Sequence, residues 1–173
     1  MNANALLRAR PQRSLAFLLG LAVIAAALVI SAREGHGCFG ARLRIGVPSD
    51  PAPALAAYAA GYYVEEKTGI EPEFVELSGD PGAALAEGAI DFFLATGLPT
   101  PDGVEVRPAG VLPGVDDSRF WIRRDVLDDL RFFTLDRALQ GIPGFYGSEA
   151  FREAARAPEP ARKAARQAVH RAD

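Results

Sequence analysis

Two short polar segments, Pro48-Ser49-Asp50-Pro51 and Ser78-Gly79-Asp80-Pro81, divide the middle of this chain into alternating strand-like and helix-like runs. Each segment places an aspartate directly before a proline. This order is typical of helix starts, because the acid can cap free backbone amides and proline fits the first helical turn. We therefore expect each segment to end a strand and to start a helix.

The runs around these segments predict a β-α-β-α-β order. The helices are recognised by apolar residues at three- and four-residue spacing, and the strands by short apolar or alternating runs. This order predicts an α/β fold, a single lobe with a parallel-type sheet covered by helices and right-handed crossovers. The predicted strands are 43–47, 72–77 and 90–95, and the predicted helices are 52–68 and 83–87.

The C-terminal region, residues 126–173, does not repeat that pattern and predicts a helical extension. Ser148 followed by Glu149 is typical of a capped helix start. Residues 161–172 are rich in alanine and arginine and predict a weakly amphipathic helix, with a frayed or disordered tail as the alternative. The remaining expectations are a short helix within 126–133, a capped helical turn at Thr134–Leu139 and a loop at Gly141–Gly144.

An uncharged run of 19 residues from Ser14 to Ala32 predicts a transmembrane helix. At about 1.5 Å per residue, such a helix is about 28 Å long, close to the thickness of the bilayer's hydrocarbon core. Arg8, Arg10 and Arg13 precede the run. Their position predicts a single-pass protein of the inner (cytoplasmic) membrane, with the N-terminus inside and the domain in the periplasm or outside.

A cleaved signal peptide is the alternative, because a basic start and an apolar run are common to both. We favour the anchor, since the run is long for a signal peptide and its cleavage site is imperfect. The lone Cys38 is expected to be a free juxtamembrane thiol rather than a lipidated cysteine. Residues 1–38 thus predict a cytoplasmic end, an anchor and a linker before the lobe at 39–125.

The charge distribution argues against nucleic acid as a partner. Residues 39–151 carry eighteen acidic and nine basic side chains, whereas the two ends of the chain are basic. Nucleic-acid binding depends on neutralising phosphates with lysine and arginine, which a net acidic domain does poorly. The expected partners are instead a membrane, a membrane protein or transporter, and a small solute.

The predicted lobe resembles the first lobe of type 2 periplasmic solute-binding proteins, most closely the ABC-transporter receptors for glycine betaine and similar solutes. The resemblance rests on Leu43-Arg-Ile-Gly-Val47, on Glu65-Glu-Lys-Thr-Gly69, on the strand 72–77 and on Glu87-Gly-Ala-Ile-Asp91. It extends to Val104–Val115 and Phe120–Asp125, which are similar to the strand and return segment that enter the hinge. The chain departs from the family after Asp125, where no second β-α-β-α-β unit follows.

The resemblance implies a solute site in loops at the carboxyl ends of the strands, as the general rule for open α/β sheets also implies. The same residues have a simpler interpretation, since serine and aspartate at these positions are typical helix caps. A further hypothesis joins Trp121 with Tyr62 or Tyr63 in a cation-binding aromatic box. The candidate ligand-binding residues are Ser49, Asp50, Ser78, Gly79, Asp80, Thr96, Gly97 and Trp121.

Two functions are compatible with the sequence. The first is a membrane-anchored, extracytoplasmic solute-binding-like domain, a receptor or accessory part of an ABC-type transport system. The second is a non-catalytic structural or accessory subunit of a membrane complex. We predict neither an enzyme nor a bound metal or cofactor, because Cys38 stands alone and no phosphate-binding glycine loop is present.

Overall fold

The predicted β-α-β-α-β order is confirmed, with element bounds that differ from the prediction by a few residues. The computed structural model describes residues 42–112 and 118–172. Gly69 ends the first helix in the left-handed conformation, with φ of 74°, and its N–H donates to the Glu65 carbonyl. The elements are β1 (Arg42–Val47), α1 (Pro51–Thr68), β2 (Glu71–Glu76), α2 (Pro81–Ala86) and β3 (Phe92–Thr96).

Two further strands and a series of helices follow. In the part of the chain that is described, no helix combines the length and the apolar character needed to cross a bilayer. The predicted anchor at 14–32 and the thiol of Cys38 lie outside the described residues. The elements are β4 (Val104–Pro108), β5 (Ser118–Arg123), α3 (Arg124–Asp128), a 3-10 turn (Leu130–Phe132), α4 (Leu135–Tyr146), α5 (Glu149–Arg156) and α6 (Ala161–Ala172).

The strands of the described residues form one sheet in the order β2-β1-β3-β5-β4. β1 is parallel to β2 and to β3, as predicted. β5 is antiparallel to both β3 and β4, so the sheet is mixed and the parallel-type prediction holds only for its first three strands. Nine residues join β4 to β5. That length suits an antiparallel pair, whereas a parallel crossover needs a dozen or more residues.

Helix α1 lies close against the sheet because small residues form its surface. A Cβ atom added at Gly61 would lie 2.7 Å from Ile45 Cδ1 and 2.7 Å from Phe74 Cε1. The absence of a side chain there lets the helix backbone approach β1 and β2. Five alanines of α1 are also buried, as expected for a helix that is covered on several sides. They are Ala54, Ala56, Ala57, Ala59 and Ala60.

The C-terminal helices pack on α1 and share one hydrophobic core with the sheet. Ala164, Ala165 and Ala168 of α6 are almost fully buried, so the weakly amphipathic helix predicted from the sequence is an ordered packing element and not a frayed tail. The Tyr146 hydroxyl donates a 2.7 Å hydrogen bond to the Ala56 carbonyl of α1. Burial raises the pKa of Tyr146 well above its ordinary value. The C-terminal helices therefore cover α1, and α4 also reaches the sheet, where Tyr146 packs on Phe120 of β5.

The predicted loop at Gly141–Gly144 is wrong, because α4 runs through it with Pro143 inside the helix. Leu139, Ile142 and Tyr146 lie on one side of α4 and are at most 1% exposed. Burial of these side chains offsets the backbone hydrogen bond that proline removes. Ser148 caps α5 as predicted, since its Oγ accepts from the Phe151 amide.

Candidate functional site

A groove lies where the carboxyl ends of β1, β2 and β3 meet the first turns of α1 and α2. Its volume is about 360 Å³, toward the lower end of the range of about 300–1,000 Å³ that is typical of ligand pockets. We call it the carboxyl-edge groove. The residues that line it are Pro48, Ser49, Asp50, Pro53, Leu77, Ser78, Gly79, Pro81, Phe93, Leu94, Thr96 and Leu98.

Backbone and side-chain hydrogen bonds hold two of the strand ends together at the groove. The Leu77 amide donates to the Val47 carbonyl over 3.0 Å, which extends the β1–β2 ladder by one residue. The Ser49 hydroxyl donates to the Leu77 carbonyl over 3.5 Å, a long and weak hydrogen bond. The two polar segments recognised in the sequence therefore form adjacent parts of the groove.

Asp50 and Asp80 occupy the same position relative to their helices but make different contacts. Asp80 caps α2, because its carboxylate accepts from the Gly82 amide over 3.2 Å and from the Ala83 amide over 3.0 Å. Asp50 stands at the N-cap of α1 without a side-chain cap hydrogen bond, which contradicts the capping prediction for that residue. The third helical residue there is Pro53, which has no N–H to donate.

The structure brings together five of the eight candidate ligand-binding residues. Ser49, Asp50, Ser78, Gly79 and Thr96 all line the carboxyl-edge groove, although they come from three separate loops. The groove is not lined by the other three candidates, which are Asp80, Gly97 and Trp121. Asp80 caps α2, and Gly97 follows β3 in the left-handed conformation.

Trp121 lies on a buried face of the sheet, where it is 2% exposed and packs on Phe93 with 6.0 Å between ring centroids. Tyr62 belongs to the other hydrophobic cluster and contacts Phe74, while Tyr63 stacks on Phe145. The three rings of the predicted aromatic box thus have different partners and do not form a box. Adjacent strand residues point to opposite faces, and Trp121 points to the face covered by α2.

The apolar walls of the groove were not predicted from the sequence. Its apolar lining residues are Leu77, Phe93 and Leu98, together with three prolines and one further leucine. Leu98 is 44% exposed, so part of its apolar side chain faces the open side of the groove. The position of Leu98 directly after the strand end Thr96-Gly97 could have indicated this role in the sequence, because a residue there lies at the groove rim.

A buried carboxylate lies at the opposite edge of the sheet, before β3. Asp91 is 4% exposed and accepts from the Arg44 amide over 3.0 Å and from the Arg44 side chain over 2.7 and 3.1 Å. Arg123 reaches the same carboxylate over 3.4 Å and also pairs with Asp125. The hydrogen bond to Asp91 raises the pKa of Arg44. This cluster joins β1, β3 and β5, and its charges are already compensated.

A second cavity of about 260 Å³ lies between α1, α5 and α6. Alanine and proline form most of its wall, and its charged lining residue, Glu159, is 3.3 Å from Lys163. This cavity offers a ligand neither a free charge nor a set of hydroxyls. Within the described ranges, no three metal-binding side chains cluster together either. The carboxyl-edge groove is therefore the candidate functional site.

The chain matches no protein-family model and no curated protein. It is similar to a solved structure of the Corynebacterium glutamicum OxyR C206 mutant at 23% identity, over 57% of this chain and 32% of that chain, with a TM-score of 0.31. The H2O2-bound C206S mutant of the same protein gives 22% identity, 57% and 34% coverage, and the same TM-score. The chain thus spans about a third of those proteins, and so weak a likeness carries no inference about function.

Proposed function

We propose that this domain is a non-catalytic solute-binding-like module that holds a small solute in the carboxyl-edge groove. The observation that carries the proposal is the convergence of Ser49, Ser78 and Thr96 with Asp50 on one groove, from the ends of three parallel strands. The ends of β1 and β3 lie on either side of the point where the strand order reverses, which is where open α/β sheets generally bind ligands.

The module is proposed to stand at the inner membrane on the helix 14–32, with the domain in the periplasm or outside. The basic residues before that run support this orientation. In that position the domain acts as a receptor or accessory part of an ABC-type transport system. The proposal draws on the resemblance of the lobe to type 2 periplasmic solute-binding proteins.

A partner chain is proposed to complete the site. The groove opens to solvent, and Asp50, Ser78 and Leu98 at its rim are exposed. A ligand held on one side only buries too little surface for tight binding, since typical pockets enclose 70–90% of their ligands. We therefore expect millimolar affinity for the isolated chain and tighter binding when a second protein covers the groove.

A thermal-shift screen tests the solute-binding proposal. One class among betaine, choline, amino acids and oxyanions is expected to raise the Tm of the full chain at millimolar concentration. A Thr96→Val variant should reduce that shift. Ser148→Thr, which keeps the hydroxyl of the half-buried α5 cap and lies outside the groove, should leave it intact. A screen in which no class moves the Tm contradicts the proposal.

The accessory-subunit function is a second candidate, favoured by a separate surface. Leu130 and Phe133 are 86% and 77% exposed and lie three residues apart at the start of the C-terminal region. Exposed apolar pairs of this kind are common in protein interfaces. If this function is right, the full chain co-purifies with a membrane complex, and a Phe133→Ser change abolishes the association while leaving the Tm unchanged.

A further inference from the structure

Among the described residues that line the carboxyl-edge groove, Asp50 is the charged one, and none is lysine or arginine. The carboxylate of Asp50 is exposed and makes no cap hydrogen bond. The first three residues of α1 include Pro51 and Pro53, so that only Ala52 offers an N–H. The usual attraction of a helix start for anions is thereby weakened, and the net charge of the groove is negative.

The other polar groups of the groove add hydrogen-bond acceptors. Thr96 pairs with Ser118 through the backbone, but within the described ranges the side-chain hydroxyls of Ser78 and Thr96 have no hydrogen-bond partner and are available to a ligand. The Ser49 hydroxyl donates its proton to the Leu77 carbonyl and keeps its lone pairs. A carboxylate and hydroxyl lone pairs together suit a cationic ligand that can donate several N–H hydrogen bonds.

The part of the chain that the structure describes does not form an aromatic cage at the groove. Phe93 is the aromatic residue that lines it, and that side chain is only 5% exposed. Recognition of quaternary ammonium ions generally depends on exposed ring faces. Proline and leucine form the rest of the walls, which suits a short aliphatic body.

We infer that the carboxyl-edge groove takes a primary ammonium ion carried on a short apolar body, and that it discriminates against quaternary ammonium ions. The inference rests on the proposed solute-binding function and names its ligand class. The ammonium group donates to Asp50 and to the neighbouring hydroxyls, and the apolar body contacts Leu77 and Leu98. A quaternary ammonium ion carries the same charge but has no N–H to donate.

The test is an NMR titration of the full chain with four short aliphatic compounds that differ in the head group. They are n-butylammonium, butyltrimethylammonium, 1-butanol and butyrate, each added to millimolar concentration. The readout is the shift of the amide signals of Ser49, Asp50, Ser78 and Thr96. We expect n-butylammonium to bind most tightly, and Asp50→Asn to weaken it by about fivefold, as for an exposed ion pair. Asp128→Asn, an exposed change outside the groove, serves as the control and should have no effect.

The outcomes separate this inference from the function it rests on. Equal binding of the primary and quaternary ions, or unchanged binding in Asp50→Asn, overturns the inference. Stronger binding of 1-butanol or butyrate at the same amide signals also overturns it, while the solute-binding function stands. If none of the four compounds shifts the groove amide signals, and no compound of the thermal-shift screen raises the Tm, both the inference and the proposed solute-binding function are wrong.

Discussion

Replacing Asp91 by asparagine is expected to destabilise the domain strongly, because it removes the buried charge that two arginines share. Breaking a fully buried ion pair generally costs about 3–5 kcal/mol of unfolding free energy. Here the side chains of Arg44 and Arg123 are 37% and 24% exposed, so water partly stabilises the cations left behind. We therefore expect a loss of about 2–3 kcal/mol, and a Tm lower by roughly 10 °C.

Urea unfolding of the full chain measures this loss, with Trp121 as the probe. It is the single tryptophan of the chain and is buried beside β3, so its fluorescence reports the sheet directly. The matched control is Glu71→Gln, which breaks the Arg42–Glu71 pair between β1 and β2. Those two side chains are 57% and 51% exposed, and such a pair contributes only about 0–1 kcal/mol.

The comparison of the two variants can refute the reasoning. If Asp91→Asn loses no more than Glu71→Gln, the buried carboxylate does not hold the three strands together. An unchanged slope of free energy against urea is required for the comparison, because a changed slope indicates a different unfolded or native state.

Two further predictions concern helix caps and pH. Asp80→Ala should lower the unfolding free energy by about 1 kcal/mol, because two α2 amides lose their acceptor. Asp50→Ala should change the unfolding free energy by a few tenths of a kcal/mol at most. Equal losses in the two variants would contradict the different contacts of the two residues. Tyr146→Phe should cost about 1 kcal/mol at pH 8 through the lost hydrogen bond to Ala56. The pKa of Tyr146 in the folded chain lies above the value of about 10 that a tyrosine has in an unfolded chain. The stability that its buried neutral phenol contributes is therefore fully present below pH 10 and is lost as the pH rises further. The free-energy gap between wild type and Tyr146→Phe should therefore shrink above pH 10 in urea titrations, and a constant gap would show that the phenol is not buried in its neutral form.

The order of the first five elements could be predicted because their signals are local. An aspartate followed by a proline marked both helix starts, and Gly69 marked a helix end that needs a positive φ. Parallel pairing followed from the helical crossovers between the strands. The same local patterns placed five candidate residues at one sheet edge, since the carboxyl ends of parallel strands share that edge.

The rest depended on contacts between residues distant in the chain. Gly141-Ile-Pro-Gly144 has the composition of a loop, yet burial of Ile142 overrides that preference and continues α4. Trp121 and Tyr62 were grouped by chemistry alone, and no local pattern tells which face of the sheet each one covers. The lack of a side-chain cap at Asp50 was readable in part, since Pro53 removes one of the two backbone amides that donate to a capping side chain, as both do at Asp80.

The packing of α6 on α1 has a consequence for how the chain folds during synthesis. Val169 and its alanine neighbours cover a helix that the ribosome completed about a hundred residues earlier. Until residues 161–172 have emerged, α1 keeps one apolar side bare, and contacts of such long sequence separation form slowly. The nascent domain therefore stays incomplete through most of its translation. A chain held in that state is open to chaperones.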